Sequence, residues 1–501
     1  MKVFPWLSVV TFVPLAGAAV VIVLPRGRDA LYRWVALVAS VATFVIALGM
    51  LGAYDAQARG FQLLERATWV ESLNFKYVLG VDGISLFLVL LTAFLMPLAI
   101  LASWKVDRGV RYFMVAMLVL ETAMVGSFLA LDLLLFFFFF EALLFPMYLI
   151  IGGWGGERRV YAALKFFLFT MAGSAFLFVA ILFLYFRADP HTFDLAELQG
   201  LALPAVTARW LFLAFFVAFA VKVPLFPLHT WLPDAHTEAP TAGSVILAAV
   251  LLKIGVYGLL RFNLSLFPEA SAYFRTFVMV LAVIGIVYGA ILALAQRDVK
   301  RLVAYSSVSH LGFCVLGIFA FTTQAMTGGV IQMVNHGLST GALFLLVGML
   351  YERTHTRDLD ELGGLGTVTP VLAGFLLIVS LSSLALPGLN GFVGEFLVLI
   401  GAFPAHRALT VVASVAIVLT ALYLLWAYQR IMHGPLRAEQ VRHPDLSIRE
   451  YAILVPIVAA IVFVGLFPKP LLDRIEPSVE DAAATVREAE VDSSRIQVVV
   501  P

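Results

Sequence analysis

Glu141, Lys222, Lys253, His310, His336 and Glu395 each lie inside an apolar run long enough to cross a bilayer. A charge at the bilayer centre costs about 2.5–3.5 kcal/mol on insertion scales. Six such groups, acidic and basic and in separate runs, point to protons or cations moving between them. Glu141 stands nine residues past Asp132, or about 13 Å along a helix, among Phe136 to Phe140, Leu143, Leu144 and Phe145. An isolated carboxylate there takes up a proton rather than stay charged. A basic partner keeps it ionised, and Lys222 is the natural candidate; the alternative is a static pair locking two helices. Lys253 is too deep to snorkel. Desolvation disfavours a lysine's charged form, so such an amine can lose and regain a proton, or else it pairs statically with a carbonyl.

His310 and His336 titrate nearest to neutral pH of any side chain. Hydroxyls stand close in sequence, Ser306, Ser307 and Ser309 by the first, Ser339 and Thr340 by the second. Relay and satisfied core residue are the two readings for each histidine. Glu395 is either a proton acceptor or a tie between helices, and the same choice stands open for Glu121 in another run. After Lys222 come His229, Asp234, His236 and Glu238. Prolines spoil the regular spacing a metal site wants, which favours a hydrated half-channel opening to the inner side.

The elements that must hold these residues are transmembrane helices. Of 501 residues, 62% are hydrophobic and 13% charged, more apolar surface than a soluble fold buries. Barrel strands would alternate in polarity, and these runs do not. The expected fold class is an all-α polytopic membrane protein with about 14 spans. They fall near 5–24, 33–53, 78–103, 111–130, 132–152, 162–186, 210–229, 243–263, 275–296, 301–321, 326–351, 370–403, 408–430 and 451–468. The seventh is broken by Pro224, Pro227 and Pro233, the twelfth by Pro387, Gly388, Gly391 and Gly394. Proline removes a backbone donor and clashes with the preceding turn. Broken helices persist in membranes where they line a polar cavity, and a pair at corresponding positions marks an ion site. Spans five to eight overlay spans ten to thirteen at an offset of roughly 167 residues, with "GSAFLF" at 173–178 falling on "TGALFL" at 340–345. The expected division is 1–110, a first repeat at 111–263, a second at 275–430, and 451–501 as a last helix with a short polar tail.

Loop charges give the orientation. With the N-terminus outside, the inner loops hold Arg26, Arg28, Arg33, Lys105, Arg108, Arg111, Arg158, Arg159, Arg297, Lys300, Arg301, Arg353, Arg357, Arg430, Arg437, Arg442 and Arg449. Both termini are therefore expected outside. Residues 54–77 read as an outer hairpin. The tail 471–501, with Leu472, Ile475, Val479 and Ala483 at helical spacing, is expected to lie at the surface or fray. A net charge of +1 leaves no nucleic-acid footprint. The single cysteine, Cys314, cannot hold an iron–sulfur cluster or form an internal disulfide, and no dinucleotide fingerprint follows a strand pattern.

Five segments resemble the antiporter-like subunits of respiratory complex I: "FEALLFPMYLIIGGWGG" (140–156), "KVPLFPLHTWLPDAHTEAPTAGSVILAAVLLKIGVYGLLRF" (222–262), "RDVKRLVAYSSVSHLGF" (297–313), "NHGLSTGALF" (335–344) and "ALPGLNGFVGEF" (385–396). The resemblance spans nearly the whole chain. It implies 14 core helices, inverted repeats over helices 4–8 and 9–13, and discontinuous helices 7 and 12. It implies Glu141 and Lys222 as a coupling ion pair, Lys253 as the central proton carrier, His310 and His336 as relay groups, and Glu395 toward an outer half-channel. A glutamate at the twelfth-helix position, with no room for a long lateral C-terminal helix, resembles the M-type paralogue rather than the L- or N-type. The implied activity is proton translocation in an NADH:quinone oxidoreductase of the bacterial inner membrane. FMN, iron–sulfur clusters and quinone would lie in partner subunits, with the L- and N-type chains as membrane neighbours. A cation/proton antiporter subunit or a membrane-bound hydrogenase subunit is the alternative. A structural anchor and a quinone-binding subunit are rivals of other classes.

Overall fold

The chain's structure, a computed structural model, describes residues 4–436 and 444–499. Arg437 and Arg442, counted above among the inner charges, lie outside the described residues. Among these, thirteen helices are long and apolar enough to cross a membrane, and two shorter apolar helices end to end make one more. In chain order they are α1 (Trp6–Val23), α2 (Asp29–Ala53), α3 (Gly83–Ala102), α4 (Val110–Leu129), α5 (Leu133–Trp154), α6 (Arg159–Arg187) and α7 (Ala205–Lys222, resuming at Leu232–Glu238). There follow α8 (Thr241–Leu266), α9 (Pro268–Leu294), α10 (Val299–Phe319), α11 (Thr323–Thr354), α12 (Pro370–Ser383 and Asn390–Ala402), α13 (Arg407–Met432) and α14 (Ile448–Leu466).

Ion pairs sort the loops onto two opposite faces. On one, Lys105 meets Glu352, Arg297 meets Asp360 and Arg357 meets Asp298; this is the basic face. On the other, Arg66 meets Asp194, Lys76 meets Glu197, and Arg59 meets Glu480 and Asp481. The second face carries the expected hairpin, β1 (Gln62–Val70) antiparallel to β2 (Phe75–Val81), with Asn74 left-handed at the turn. Glu65 of β1 accepts from the backbone amides of Leu7 at 2.7 Å and Ser8 at 3.0 Å. A carboxylate thus sits at the positive end of α1.

Windows of α8 and α11 are wholly buried and that of α10 nearly so, whereas α2, α13 and α14 turn most of their residues outward. A helix apolar all round is either buried or faces lipid, so composition alone does not sort the two. The polar centres lie on the buried set: Lys253 on α8, His310 on α10, His336 on α11. Helix α11 approaches α8 closely because residue 337 is glycine; a Cβ there would lie 2.9 Å from the Ala249 carbonyl oxygen.

Both expected breaks are present. Pro224 and Pro227 lie in the gap of α7, where Trp231 spans the interruption by donating from Nε1 to the Val221 carbonyl at 2.9 Å. Pro387 and Gly388 lie in the gap of α12, and Gly388 takes φ +92°. Gly391, expected in the break, instead sits in the first turn of the second piece. It is glycine because the two pieces nearly touch: a Cβ there would lie 2.1 Å from the Ser382 carbonyl oxygen.

Three features depart from the sequence reading. Helix α5 is interrupted at Leu143. Pro146 can give no amide hydrogen to the carbonyl four residues back, that of Ala142, so the irregularity falls next to Glu141. Helix α8 contains two π-helical stretches, Leu247–Leu251 and Leu259–Asn263, on either side of Lys253. The tail neither frays nor is short: Lys469–Val499 is one helix, α15. Its buried stripe is Leu471, Ile475, Val479, Ala483 and Val486, with Leu472 only partly covered, and it lies against α3, α9 and α11 on the hairpin face. The sequence shows the stripe but not the groove that receives it.

Candidate functional site

Lys253 is fully buried. Its Nζ donates to the Ala248 carbonyl at 2.5 Å and stands 2.6 Å from His336 Nδ1. Ala248 belongs to the first π stretch, where backbone acceptors are displaced from the regular i−4 ladder. The amine thus has one fixed acceptor and one exchangeable partner. His336 faces His310 with ring centroids 5.7 Å apart. His310 Nδ1 stands 2.7 Å from Glu395 Oε1, which also accepts from Gln332 Nε2 at 3.1 Å. Four of the six expected residues therefore form one chain, Lys253–His336–His310–Glu395, running across the bundle through α8, α11, α10 and α12.

A cavity of about 10 Å³ adjoins both histidines, bordered also by Gln332, Asn335, Ser339, Thr340, Ser382, Ser383 and Gly391. That volume holds one water. Of its lining groups, His310 Nε2, His336 Nε2, Gln332 Oε1, Asn335 Oδ1 and Ser383 Oγ have no protein partner, which suits the two to four polar contacts a buried water needs. The hydroxyls expected beside His336, Ser339 and Thr340, border this cavity, whereas those expected beside His310 are turned elsewhere. Ser306 and Ser307 bond back to Val303, and Ser309 bonds to Ile286. Local side-chain-to-backbone bonding of this kind is common for serine in helices. Ser382 and Ser383 beside the break in α12 border it as well; Ser339 and Ser382 lie 2.6 Å apart and both reach Asn390 Oδ1, which leaves Ser383 Oγ as the unpartnered hydroxyl.

Glu141 and Lys222 lie apart from this chain. Each is the opposite charge that the other feels, yet no ion pair within contact distance joins them. Lys222 is buried at the end of the first piece of α7, and its Nζ has no hydrogen-bond partner. It lies over the Phe140 ring, 4.6 Å from the centroid, a cation–π contact. Ser174 of α6 is the hydroxyl beside Glu141. The phenylalanine run read as packing thus supplies the face on which the ammonium rests.

Glu121 is separate as well: it accepts from Ser40 at 2.7 Å and ties α4 to α2. Asp234 pairs with Lys165 at 2.7 Å, and His229 packs against Phe226 and Tyr288. Among the described residues no group of three or more histidine, cysteine, aspartate or glutamate residues could hold a metal ion. Two further buried ionisable groups are His236, which reads in the sequence only as a member of the charged cluster after Lys222, and Lys300, which reads as a loop charge. Only its place two residues past the Asp298 N-cap of α10, and so inside a helix, hints at this.

A family profile described as "NADH:quinone oxidoreductase/Mrp antiporter, TM" matches residues 130–420, and one described as "NADH-ubiquinone oxidoreductase chain 4, amino terminus" matches residues 58–127. NADH-quinone oxidoreductase subunit M of Rhodobacter capsulatus is 47% identical over 490 residues, 94% of this chain and 95% of that one. In respiratory complex I from Thermus thermophilus, one chain superposes with a TM-score of 0.88 at 33% identity, covering 96% of this chain and 99% of that chain. The Mrp complex from a Dietzia species contains a chain with a TM-score of 0.86 at 20% identity, covering 97% of this chain and 99% of its own, a likeness of fold alone.

Proposed function

The chain belongs to the subunit M family of NADH-quinone oxidoreductase, respiratory complex I, and from that premise we propose the residues by which it moves protons. It is a multi-pass, proton-translocating membrane subunit of that enzyme complex, whose other subunits are its partners. The proton route we assign is Lys253, His336, His310, Glu395. The observation that carries it is the run of short contacts between titratable groups, 2.6 Å at one end and 2.7 Å at the other, around a water-sized polar cavity in the buried core. A packing role would not leave so many of the lining polar atoms without protein partners.

Oxidation of NADH and reduction of quinone belong to partner subunits, which hold FMN, iron–sulfur clusters and quinone; L- and N-type antiporter-like chains are the membrane neighbours. The basic face is assigned to the cytoplasmic side of the bacterial inner membrane by the positive-inside rule, with both termini on the opposite side. Residues 111–263 and 275–430 act as two inverted repeats, each contributing one broken helix.

Glu395 tests the route. A glutamine keeps the shape and one acceptor oxygen but cannot ionise; an aspartate can. Glu395→Gln is expected to assemble and pump poorly, and Glu395→Asp to keep substantial pumping, measured as NADH-driven proton uptake in inverted vesicles normalised to assembled complex. A structural tie gives the reverse order, since the amide still reaches His310 or Gln332. Glutamine matching or exceeding aspartate removes Glu395 from the route.

Glu141 and Lys222 are assigned as the coupling pair, whose separation the redox partners modulate. Glu141→Ala and Lys222→Ala are each expected to abolish most pumping. Because the two charges are not in contact, the stability lost in each single variant should fall below the roughly 3–5 kcal/mol typical of breaking a contacting buried pair. The double variant, with no stranded charge, should assemble better than either single one. Wild-type pumping by both single variants in assembled complex would deny the pair a coupling role.

A further inference from the structure

Asn335 of α11 and Asn390, the first residue of the second piece of α12, are both fully buried. Each side-chain amide holds the other's backbone. Asn335 Nδ2 donates to the Asn390 carbonyl at 2.7 Å, and Asn390 Nδ2 donates to the Asn335 carbonyl at 3.1 Å. Asn390 Oδ1 accepts from Ser382, in the last turn of the first piece of α12, at 2.5 Å, and from Ser339 of α11 at 3.3 Å. This reciprocal clasp therefore joins both pieces of α12 to α11 across the break. His336 directly follows Asn335, and Glu395 stands five residues past Asn390.

Where a helix is broken, the ladder of the first piece does not fix the register of the second. Leu389 gives the second piece no side-chain cap. Its contact with α11 runs over glycines: a Cβ on Gly328 would lie 2.6 Å from the Val398 amide nitrogen, and one on Gly401 would press on that of Ala325. Apolar packing is non-directional, so it does not decide where the piece stops along its axis. Hydrogen bonds, which depend on angle and distance, do. Thr322 Oγ1 holds the far end at the Gly401 carbonyl; at the break, beside the relay, the clasp does so. Asn335 Oδ1 has no protein partner and faces the cavity between the two histidines. A tie kept for strength alone would gain by leaving no buried oxygen unpaired. We propose that Asn335 and Asn390 are positioning residues for proton transfer. The clasp sets the register of the second α12 piece so that Glu395 meets His310, and it holds one acceptor toward the water-sized cavity. This role rests on the route assigned above, because it acts through Glu395.

A static tie and a positioning pair differ in the complex that does assemble. The test takes Asn390→Ala, Glu395→Gln and the two combined in the intact membrane complex, and measures assembled amount and NADH-driven proton uptake in inverted vesicles. Asn390→Ala is expected to lower uptake per assembled complex by about two- to tenfold, the factor that one net hydrogen bond supplies. Because the clasp acts through Glu395, the combined variant should pump no less than Glu395→Gln alone, whereas two independent losses would multiply. Asn335→Ser removes only the bond to the Asn390 carbonyl, and it takes the place of Asn390→Ala in the same comparison if that variant does not accumulate. Unchanged uptake per assembled complex, with only the assembled amount reduced, overturns the positioning role and leaves the main route standing. Multiplication of the two losses overturns it as well. Wild-type uptake by Glu395→Gln removes the end of the main route and the clasp's role with it.

Discussion

Lys253→Arg should assemble into the complex and pump no protons. The amine it replaces has a fixed acceptor in the Ala248 carbonyl and an exchangeable partner in His336, at 2.5 and 2.6 Å. A guanidinium offers donors to both and keeps the positive charge. It does not release a proton, since its pKa lies above about 12. The site is fully buried, so the larger head also overpacks, at a typical cost of about 1–3 kcal/mol. Lys253→Met separates the two effects, because it keeps an unbranched chain one atom shorter, removes the charge and adds no bulk. Loss of pumping in both variants, at near-normal assembly, is the result a proton carrier requires. A fixed positive charge would give another pattern, with arginine active and methionine inactive. The measurement is NADH-driven proton uptake by inverted membrane vesicles per assembled complex, and normal uptake by the arginine variant would end the carrier role.

Arg261→Met should damage assembly and leave pumping per assembled complex unchanged. Arg261 lies in the second π stretch of α8 and donates to Asp82 Oδ2 at 2.6 Å, with both side chains largely buried. Its Nε reaches the Tyr257 hydroxyl at 3.1 Å, which in turn donates to the Phe128 carbonyl at 3.0 Å. The other oxygen of Asp82 caps α3 through the amides of Ile84 and Ser85. One ion pair thus joins α8 to the start of α3, next to the docked α15, whose Ser478 accepts from the Gly83 amide at 3.0 Å. Removing the arginine leaves a carboxylate buried and unpaired, at a cost of about 3–5 kcal/mol. The double variant Asp82→Asn with Arg261→Met keeps an N-cap acceptor and strands no charge, so it should recover most of the loss. Thermal unfolding of the purified complex and the amount of assembled subunit both read this out. If the single variant is no less stable than the double, the pair contributes nothing beyond its parts.

The contrast between these variants shows which buried charges the sequence could interpret. Lys253, His310, His336 and Glu395 stand out in the sequence because an ionisable group in the middle of a long apolar run is costly wherever it ends up. The two broken helices were legible for an equally local reason: proline lacks a backbone donor whatever surrounds it. The fourteen spans followed from hydrophobic patterning, which each segment carries by itself; the hairpin expected at 54–77 lies at 62–81, its second strand taking the residues that read as the start of the third span.

What each charge touches was settled only by packing. The sequence pairs Lys222 with Glu141, but no contact joins them, and the ammonium rests over the Phe140 ring without a hydrogen-bond partner. Serines next to His310 in sequence spend their hydroxyls on helix carbonyls, while Ser382 and Ser383, more than seventy residues away, border the same water-sized cavity. Lys300 reads as one more positive charge in an inner loop until α10 and the end of α7 enclose it. The tail shows an apolar stripe, and only the groove along α3, α9 and α11 makes it a docked helix. Desolvation cost, missing donors and hydrophobic period belong to a residue and its near neighbours, so they can be read along the chain. Partnership depends on which helices meet, and in a protein that is apolar on nearly every face, hydrophobic pattern does not say which.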